Sequence, residues 1–230
     1  MRRKYSRLAA FVFVSVVLLA CVTFAWNLRG RGGPPPVAHA PAGVLAAQDG
    51  MAPPPPKAAP LSPDEKATNA RPLKLPLADP SVVVTKGARR LRLFDGTEVV
   101  RVFPVALGFA PEGDKVRARD GRTPEGEFRI CMKNEWSNYF LSLGLSYPNE
   151  EDADRGLRDG LITRAQHRRI VNAVRAGRCP PWNTALGGEI FIHGGGVWAD
   201  WTWGCIALDN QAVTELFDAV PPGTPVFIKP

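Results

Sequence analysis

The sequence predicts a mainly β domain that carries a helical insert and follows an N-terminal transmembrane helix. Three observations lead to this prediction. Short runs of β-branched and aromatic residues recur between residues 81 and 230, apolar residues occur at helical spacing in the charged stretch 150–177, and residues 8–28 contain no charge. With 230 residues, 45% of them hydrophobic, the chain is long enough for one domain with a substantial core and further attachments.

The predicted transmembrane helix is the uncharged segment Leu8–Leu28, which follows a basic tail. At about 1.5 Å per residue, such a segment is long enough to cross a hydrocarbon layer of about 30 Å. We expect residues 1–29 to form a cytoplasmic tail and an inner-membrane signal anchor, with the rest of the chain in the periplasm of a bacterial cell envelope. A lipoprotein is the alternative, because Leu18–Cys21 is similar to a bacterial lipobox that would be lipidated at Cys21.

A linker is predicted for residues 30–80, which contain 13 of the 23 prolines and many alanines. Such a composition cannot form a packed core and is typical of an extended, disordered spacer. The net charge of +7 is concentrated at the membrane flank, since residues 1–31 contain six basic side chains and no acidic one. The remaining residues sum to +1, so charge gives no indication of a nucleic-acid-binding face.

The domain at residues 81–230 opens with predicted strands. Val82–Val84 is the first, the alternating run Arg89–Phe94 is the second, and Asp95-Gly96 predicts a hairpin into a third strand at Val99–Phe103. Further strands are predicted at Glu127–Ile130 and, at the end of the chain, at Pro225–Ile228. The framework is therefore mainly β.

The insert at residues 150–177 interrupts this pattern. Its charge and the spacing of its apolar residues predict one short helix around Asp152–Asp159 and a longer one at Thr163–Ala176. Thr163, with Gln166 three residues later, resembles a capping box. The insert is either a lid over the active site or a solvated flap that packs on the domain. A further helix is predicted at Asn210–Ala219.

The chemistry is expected in the stretch Glu189–Asp209. A short apolar run ends at His193 and is followed by three glycines, which predicts a buried strand that delivers an imidazole to the start of a turn. Gly204 and Cys205 follow, and then a second apolar pair. A nearby histidine can deprotonate a thiol and later protonate a leaving group, so this arrangement favours cysteine acyl transfer. The competing interpretation is that the cysteine and the histidine are ordinary core residues.

The positions of the other histidines and cysteines limit which residues could form the catalytic pair. His39 lies in the linker, and His167 is predicted on a charged, solvated helix face, which leaves His193 as the candidate base. No zinc-ligand spacing or cofactor motif occurs. Cys21 lies in the membrane segment, so a disulfide between Cys131 and Cys179 would leave Cys205 free. A disulfide to Cys205 itself is the alternative, and it would abolish the catalytic interpretation.

Two motifs resemble those of the L,D-transpeptidase catalytic domain family, also called YkuD-type. His193-Gly194 followed by Thr202-Trp203-Gly204-Cys205 is similar to the family's catalytic signature, and Thr123-Pro124-Glu125-Gly126-Glu127-Phe128 is similar to its Thr-Pro-x-Gly-x-Phe segment. The resemblance covers residues 81–230. The short separation of histidine and cysteine resembles the divergent YafK-like branch, and Ala207 stands where many relatives have arginine.

The resemblance implies a β-sandwich or barrel-like catalytic domain that acts on peptidoglycan stem peptides without a cofactor. Cys205 would be the nucleophile and His193 the general base and acid. Gly204, Gly194 and Thr202 would bind the oxyanion or position the substrate. Trp201 and Trp203 would form an apolar wall.

Three functions are consistent with these residues. The first is a transpeptidase that releases D-alanine from a tetrapeptide stem and transfers the acyl group to an amine, which gives a 3-3 cross-link or attaches a protein. The second is a hydrolase or carboxypeptidase that acts on the same L,D bonds. The third is an inactive, membrane-tethered peptidoglycan-binding module, against which the presence of both His193 and Cys205 argues.

Overall fold

The computed structural model of the chain describes residues 57–230. The predicted transmembrane helix, Cys21, His39 and the first part of the predicted linker lie outside the described residues. Within residues 57–230, no helix is both long enough and apolar enough to span a membrane.

The eight strands of residues 57–230 form one mixed sheet, in the order β3-β2-β1-β8-β4-β5-β6-β7. Most pairs are antiparallel, but β1 runs parallel to β8 and β6 runs parallel to β7. The mainly β prediction is confirmed, although the strands form a single curled sheet and not the two facing sheets of a sandwich. The strands are β1 (Pro80–Thr85), β2 (Arg90–Asp95), β3 (Glu98–Pro104), β4 (Gly126–Ser137), β5 (Phe140–Leu145), β6 (Phe191–His193), β7 (Ile206–Ala207) and β8 (Pro225–Lys229).

The sheet curls into a half-barrel, and the chain that follows β3 reaches across to the other edge strand, β7. Beyond β3, the backbone of Ala106 exchanges hydrogen bonds of 2.9 and 2.8 Å with Ala207 in β7. A short bridge between Gly108 and Thr202 extends this contact. The edge of β7 is thereby partly covered, and the loop between β6 and β7 is held against residues 106–108.

The core lies inside this curl and is closed by helix α4 (Asn210–Ala219). Alternate residues of β1 and β2 point inward, as expected for strands with one buried face. Val213, Leu216 and Phe217 of α4 are buried in the same cluster. The predicted bounds of this helix are those that the structure has.

The helical insert is confirmed as α2 (Glu150–Arg158) and α3 (Arg164–Arg175). Thr163 caps α3 through a capping box with Gln166, as the sequence predicts. The two helices have a small core of their own, to which Ile170 and Leu186 belong. A disulfide joins Cys179, just after the insert, to Cys131 in β4.

The linker prediction is wrong for residues 63–70, which form helix α1 (Pro63–Ala70). Ser62 and Glu65 make a capping box, and Pro63 at the first helical position needs no hydrogen-bond donor, so the proline favours a helix start here. The Asn69 side chain then pairs with both backbone groups of Val102 at 2.7 and 2.8 Å and so covers the edge of β3.

Candidate active site

The parallel pair β6 and β7 places His193 and Cys205 on one face of the sheet. Ile192 lies opposite Ile206 and His193 opposite Ala207, so the two isoleucines point into the core. Because side chains alternate along a strand, His193 and Cys205 occupy the other face, with Cys205 two residues before the partner of His193. The register thus places the two residues on one face, and both line the same cavity; that the thiol and the imidazole act together stays a prediction.

The His193 ring is buried and oriented by its own loop. Its Nδ1 lies 2.6 Å from the carbonyl oxygen of Gly194. Since a carbonyl can only accept, Nδ1 carries the proton and Nε2 presents a lone pair. Tyr139 stacks on the imidazole with centroids 4.6 Å apart, and Trp201 meets it edge-on. Burial lowers the pKa of His193, and the hydrogen bond to Gly194 offsets only part of this decrease. The ring is therefore neutral at neutral pH.

Cys205 is a free, half-buried thiol. Its Sγ donates to the backbone oxygen of Glu189 at 3.4 Å. Burial raises the pKa of Cys205 to about 11; the backbone N–H of Phe191 and the charge of Lys115 oppose this rise, and the charge of Glu189 adds to it. The thiol is therefore protonated at neutral pH. The alternative of a structural disulfide to Cys205 is wrong, because Cys131 and Cys179 pair with each other.

Thr202 and Gly204 shape the loop that carries the thiol. Thr202 Oγ1 donates to the Cys205 carbonyl oxygen at 2.7 Å and accepts from the Gly204 N–H at 3.1 Å. Gly204 has a φ of +129°, and a Cβ there would lie 2.5 Å from the Arg122 carbonyl oxygen. Only glycine fits this close approach, so the Cys205 loop packs directly against Arg122, the residue before the Thr123-Pro124 motif.

The predicted oxyanion donors are already engaged in this state. The Gly204 N–H is held by Thr202, and the Gly194 N–H donates to the Leu141 carbonyl oxygen at 3.3 Å. A Cβ at Gly194 would lie 2.5 Å from Asn210 Oδ1, so close packing also explains this glycine. Thr202 holds the Cys205 loop through its two hydrogen bonds, and a role towards the substrate stays a prediction.

Two cavities meet at Cys205. The first, here the His193 cavity, has a volume of about 380 Å³ and is lined by His193, Tyr139, Trp136 and Asn134 among others. The second, here the Arg119 cavity, has a volume of about 270 Å³ and is lined by Arg119, Lys115, Trp182, Thr184 and Trp203 among others. Cys205 and Glu189 line both. Cys205 therefore borders two separate cavities.

The predicted tryptophans have different places. Trp203 is 63% exposed and lines the Arg119 cavity, as expected for a substrate wall. Trp201 packs inside the loop, where its Nε1 donates to the Gly196 carbonyl oxygen at 3.1 Å and its ring stacks with Trp198. It supports His193 from behind and is not among the residues that line either cavity.

Other candidates lie elsewhere in the described residues. His167 pairs with Asp154 at 2.6 Å between the two insert helices. No residue of the insert, 150–177, lines the two cavities at Cys205, which favours the packing interpretation of the insert over the lid interpretation. Asp200, which is near His193 in sequence, accepts instead from Arg89 and from the Leu107 N–H.

Sequence reasoning missed several residues of the site. From the sequence, Glu189 only marks the start of the stretch Glu189–Asp209. A charged residue between two glycines and a buried strand is nevertheless a pattern that could have indicated a site residue. Arg119 and Tyr139 come from distant loops, and no local pattern connects them with Cys205. They reach the site because the loop at residues 115–120 packs against Gly187 and because the β4–β5 hairpin lies beside β6.

A curled, mainly β sheet with a thiol and a neutral imidazole on one face defines a class of domain that is suited to thiol-based acyl transfer. Residues 79–228 match the family model of the L,D-transpeptidase catalytic domain, YkuD, and the chain belongs to this family. A comparison with curated proteins gives no match.

Solved structures with a similar fold include three bacterial proteins. One is an L,D-transpeptidase from Xylanimonas cellulosilytica, with 17% identity over 73% of this chain and 70% of that chain and a TM-score of 0.39. Another is the helical cell shape determining protein Pgp2 from Campylobacter jejuni, with 19% identity over 71% and 53% of the chains and a TM-score of 0.43. The third is an L,D-transpeptidase from Mycobacterium smegmatis, with 14% identity over 66% and 59% and a TM-score of 0.40. The chain thus spans little more than half of two of these proteins.

Proposed function

We propose that this protein is a peptidoglycan L,D-transpeptidase in which Cys205 is the nucleophile. The observation that carries the proposal is the position of the thiol between two cavities, with a neutral imidazole in one of them. A transfer reaction needs room for an acyl donor and for an amine on opposite sides of the reacting sulfur. The substrate is a tetrapeptide stem, and no cofactor takes part.

The proposed reaction begins when the thiol proton moves to Nε2 of His193 as the sulfur attacks the carbonyl of the third, L-centred residue. The tetrahedral intermediate collapses when the bond to the D-alanine nitrogen breaks, and His193 gives its proton to that nitrogen. The thioester then reacts with an amine, which loses a proton to Nε2 of His193, and His193 passes this proton to Sγ of Cys205 as the carbon–sulfur bond breaks. Because the pKa of Cys205 is raised, the resting thiol is protonated, and its proton must be removed during the reaction.

In this proposal Thr202 keeps the Cys205 loop in place, and Trp203 is one wall of the acyl-donor side. For Gly204 to stabilise the oxyanion, its N–H must break its hydrogen bond to Thr202 Oγ1 and donate to the substrate instead. The Gly194 N–H would likewise have to break its hydrogen bond to the Leu141 carbonyl oxygen. Both remain predictions.

Hydrolysis of the same L,D bond is the second candidate. It is favoured by the solvent exposure of the cavity rims, where Tyr139 is 49% and Trp203 63% exposed. Water can therefore reach a thioester unless a bound acceptor excludes it. The identity of the product separates the two candidates.

The test is mass spectrometry of the full chain, solubilised in detergent and incubated with disaccharide-tetrapeptide, beside a Cys205→Ala variant. We expect a cross-linked dimer that has lost one D-alanine, absent from the variant. Tripeptide that depends on Cys205, without dimer, identifies a hydrolase. No Cys205-dependent product from either this substrate or a preformed 3-3 cross-link would refute both enzymes and leave the inactive peptidoglycan-binding module.

We also propose that residues 8–28 anchor the protein in the inner membrane with the catalytic domain in the periplasm. The disulfide between Cys131 and Cys179 supports an oxidising compartment. Protease added to spheroplasts should remove the catalytic domain, and a domain that survives until the cells are lysed contradicts this location.

A further inference from the structure

Three exposed aromatic side chains lie along one side of the candidate site. Trp136, Tyr139 and Trp198 are 92%, 49% and 63% exposed, and we call them the aromatic rim. Tyr139 contacts Trp201 with ring centroids 5.6 Å apart, and Trp201 stacks on Trp198 at 5.9 Å, so these three rings form a continuous row. Trp136 and Tyr139 both line the His193 cavity. Exposed aromatic groups that border a cavity in this way are typical of a surface that binds a ligand.

The turn of the β4–β5 hairpin, residues 134–139, holds two rings of the aromatic rim in place. The Trp136 N–H donates to Asn134 Oδ1 at 2.9 Å, and the Tyr139 N–H donates to Ser137 Oγ at 3.1 Å. Tyr139 is fixed further by its stacking on the imidazole. Because these contacts order the turn before a ligand arrives, binding loses less conformational entropy than it would on a flexible loop.

The polar groups of this turn match an uncharged ligand that has many hydroxyl groups. Asn134, Ser137 and Asn138 line the His193 cavity beside the two rings, and they offer two amides and a hydroxyl. A sugar ring has an apolar face of C–H groups that packs on an aromatic ring, while its hydroxyl and N-acetyl groups form hydrogen bonds with amides. The one charged side chain of the turn is Glu135, which an anionic membrane surface would repel. The chemistry of the turn therefore favours a glycan.

The proposed reaction determines which glycan lies at the aromatic rim. His193 deprotonates the incoming amine, so the acceptor occupies the His193 cavity. In a stem peptide this amine belongs to the third residue, and three extended residues span at most about 11 Å. Cys205 and Trp136 line the same cavity of about 380 Å³, so a stem whose amine reaches Cys205 has its sugar close to the rim.

We propose that the aromatic rim binds the glycan strand that carries the acceptor stem. Trp136 and Trp198 pack on sugar rings, and Asn134 and Asn138 form hydrogen bonds with the hydroxyl and N-acetyl groups of these sugars. The acceptor is then a stem that is still attached to its glycan, and the product is a 3-3 cross-link, because an amine of a protein has no sugar to place at the rim. This inference rests on the proposed function, since it names the acceptor of that reaction.

Binding without turnover tests the aromatic rim. The full chain carrying Cys205→Ala, in detergent, is titrated by calorimetry with a disaccharide-tripeptide and with the same tripeptide carrying a lactoyl group in place of the disaccharide, which keeps the N-terminal amide. We expect the first to bind at least about tenfold more tightly. Adding Trp136→Ala should reduce this preference to less than about twofold, whereas Trp136→Phe, which keeps an aromatic ring, should retain most of it.

Phe140→Ala is the matched control for this binding test. Phe140 is 50% exposed in the same hairpin but does not line the His193 cavity, so its loss should preserve the sugar preference. Trp136→Ala should leave the Tm unchanged, because the side chain is almost fully exposed, and this excludes unfolding as the cause of weaker binding. Equal affinity for the two ligands, or no binding of either up to about 1 mM, overturns the proposal. A sugar preference that survives Trp136→Ala also overturns it and leaves the rim free for a protein or a membrane surface.

Competition between two acceptors identifies the strand that the aromatic rim binds. The wild-type full chain receives disaccharide-tetrapeptide as donor, with equal and limiting amounts of disaccharide-tripeptide and lactoyl-tripeptide, and mass spectrometry gives the ratio of the two cross-links. We expect a ratio of at least about ten, which falls below about two in Trp136→Ala. Because the ratio is taken within one reaction, it does not depend on the amount of active protein. A ratio near one in the wild type overturns the assignment to the acceptor.

The two tests separate this inference from the proposed function. A wild-type protein that yields no Cys205-dependent product overturns the reaction, whereas the sugar preference of the Cys205→Ala protein is measured independently. A protein that forms cross-links but has no sugar preference overturns the role of the aromatic rim and leaves the reaction standing.

Discussion

At the residue scale, the main feature of the candidate site is that the proposed nucleophile, Cys205, and the proposed base, His193, both rest in their neutral forms. Burial raises the pKa of Cys205 and lowers that of His193, and both shifts disfavour a thiolate–imidazolium ion pair in the resting protein. The thiol hydrogen bond goes to the Glu189 carbonyl oxygen and not to the ring. A substrate that displaces this hydrogen bond would therefore start the reaction.

The first prediction concerns the reactivity of the free thiol with pH. Because only the thiolate is alkylated, the rate constant for iodoacetamide should rise continuously from pH 7 to pH 10, towards a pKa of about 11. Glu189→Gln removes a nearby negative charge that raises this pKa, so it should increase the rate at each pH. Intact-mass measurements give the rates, and Cys205→Ala controls for other sites. A plateau below pH 8 would contradict the neutral pair.

A second prediction concerns the stacking of Tyr139 on His193. Aromatic stacking contributes about 0.5–1.5 kcal/mol, so Tyr139→Leu should slow carbapenem acylation of Cys205 by about 2- to 10-fold. Tyr139→Phe keeps the ring and should change the rate by less than about twofold. The acid midpoint of acylation should lie below pH 6.5 in the wild type, since burial lowers the pKa of His193, and should shift in Tyr139→Leu. Equal rates for both variants would show that the stack does not position the imidazole.

At the element scale, the loop between β6 and β7 is fixed from outside its own sequence. Asp200 is 2% exposed and accepts from Arg89 at 2.8 Å and from the Leu107 N–H at 2.8 Å. The loop is thereby tied to the turn before β2 and to the chain after β3. Its tryptophans and glycines determine its local path, but this buried ion pair determines its position.

The third prediction follows from that ion pair. Asp200→Asn keeps the shape of the side chain but leaves the Arg89 guanidinium, whose side chain is 14% exposed, without its counter-charge. Removing one partner of a buried pair costs about 3–5 kcal/mol, so the urea midpoint should fall clearly. Asp218→Asn on the exposed side of α4 is the matched control and should have little effect. An Asp200→Asn protein as stable as the wild type would mean that the pair contributes nothing to stability.

The elements also show how far the sequence predicts the fold. The strands of the first hairpin, both insert helices and α4 follow from local patterns, and the structure confirms them. Strand β5 was not predicted, because Gly144 weakens the strand pattern. The reason for this glycine is tertiary, since a Cβ there would lie 2.6 Å from Met132 Cγ in the neighbouring strand. The same holds for the site: Cys205 and His193 are close in sequence, whereas Arg119 reaches the thiol only through the packing of distant loops.

At the scale of the whole molecule, the domain consists of a curled sheet and a helical insert whose residues line neither cavity at Cys205. The insert has its own small core and is joined to the rest of the domain by the Arg155–Asp114 ion pair at 2.8 Å, by the hydrogen bond from Arg155 to the Lys115 carbonyl oxygen at 2.8 Å and by the Cys131–Cys179 disulfide. A core of this size contributes little stability by itself. The covalent link is therefore expected to keep the insert docked.

The last prediction concerns this disulfide. Its two cysteines are 48 residues apart, and in the chain-entropy model closing a loop of that length stabilises the folded state by about 4 kcal/mol. The double variant Cys131→Ser/Cys179→Ser should lose about that much in urea unfolding, whereas Cys205→Ser should lose little, since its thiol is free. Because the insert lines neither cavity, carbapenem should still acylate Cys205 in the double variant at nearly the wild-type rate under conditions where it is folded. A folded double variant that acylates slowly would show that the disulfide, through the insert, holds the sheet in its reactive form.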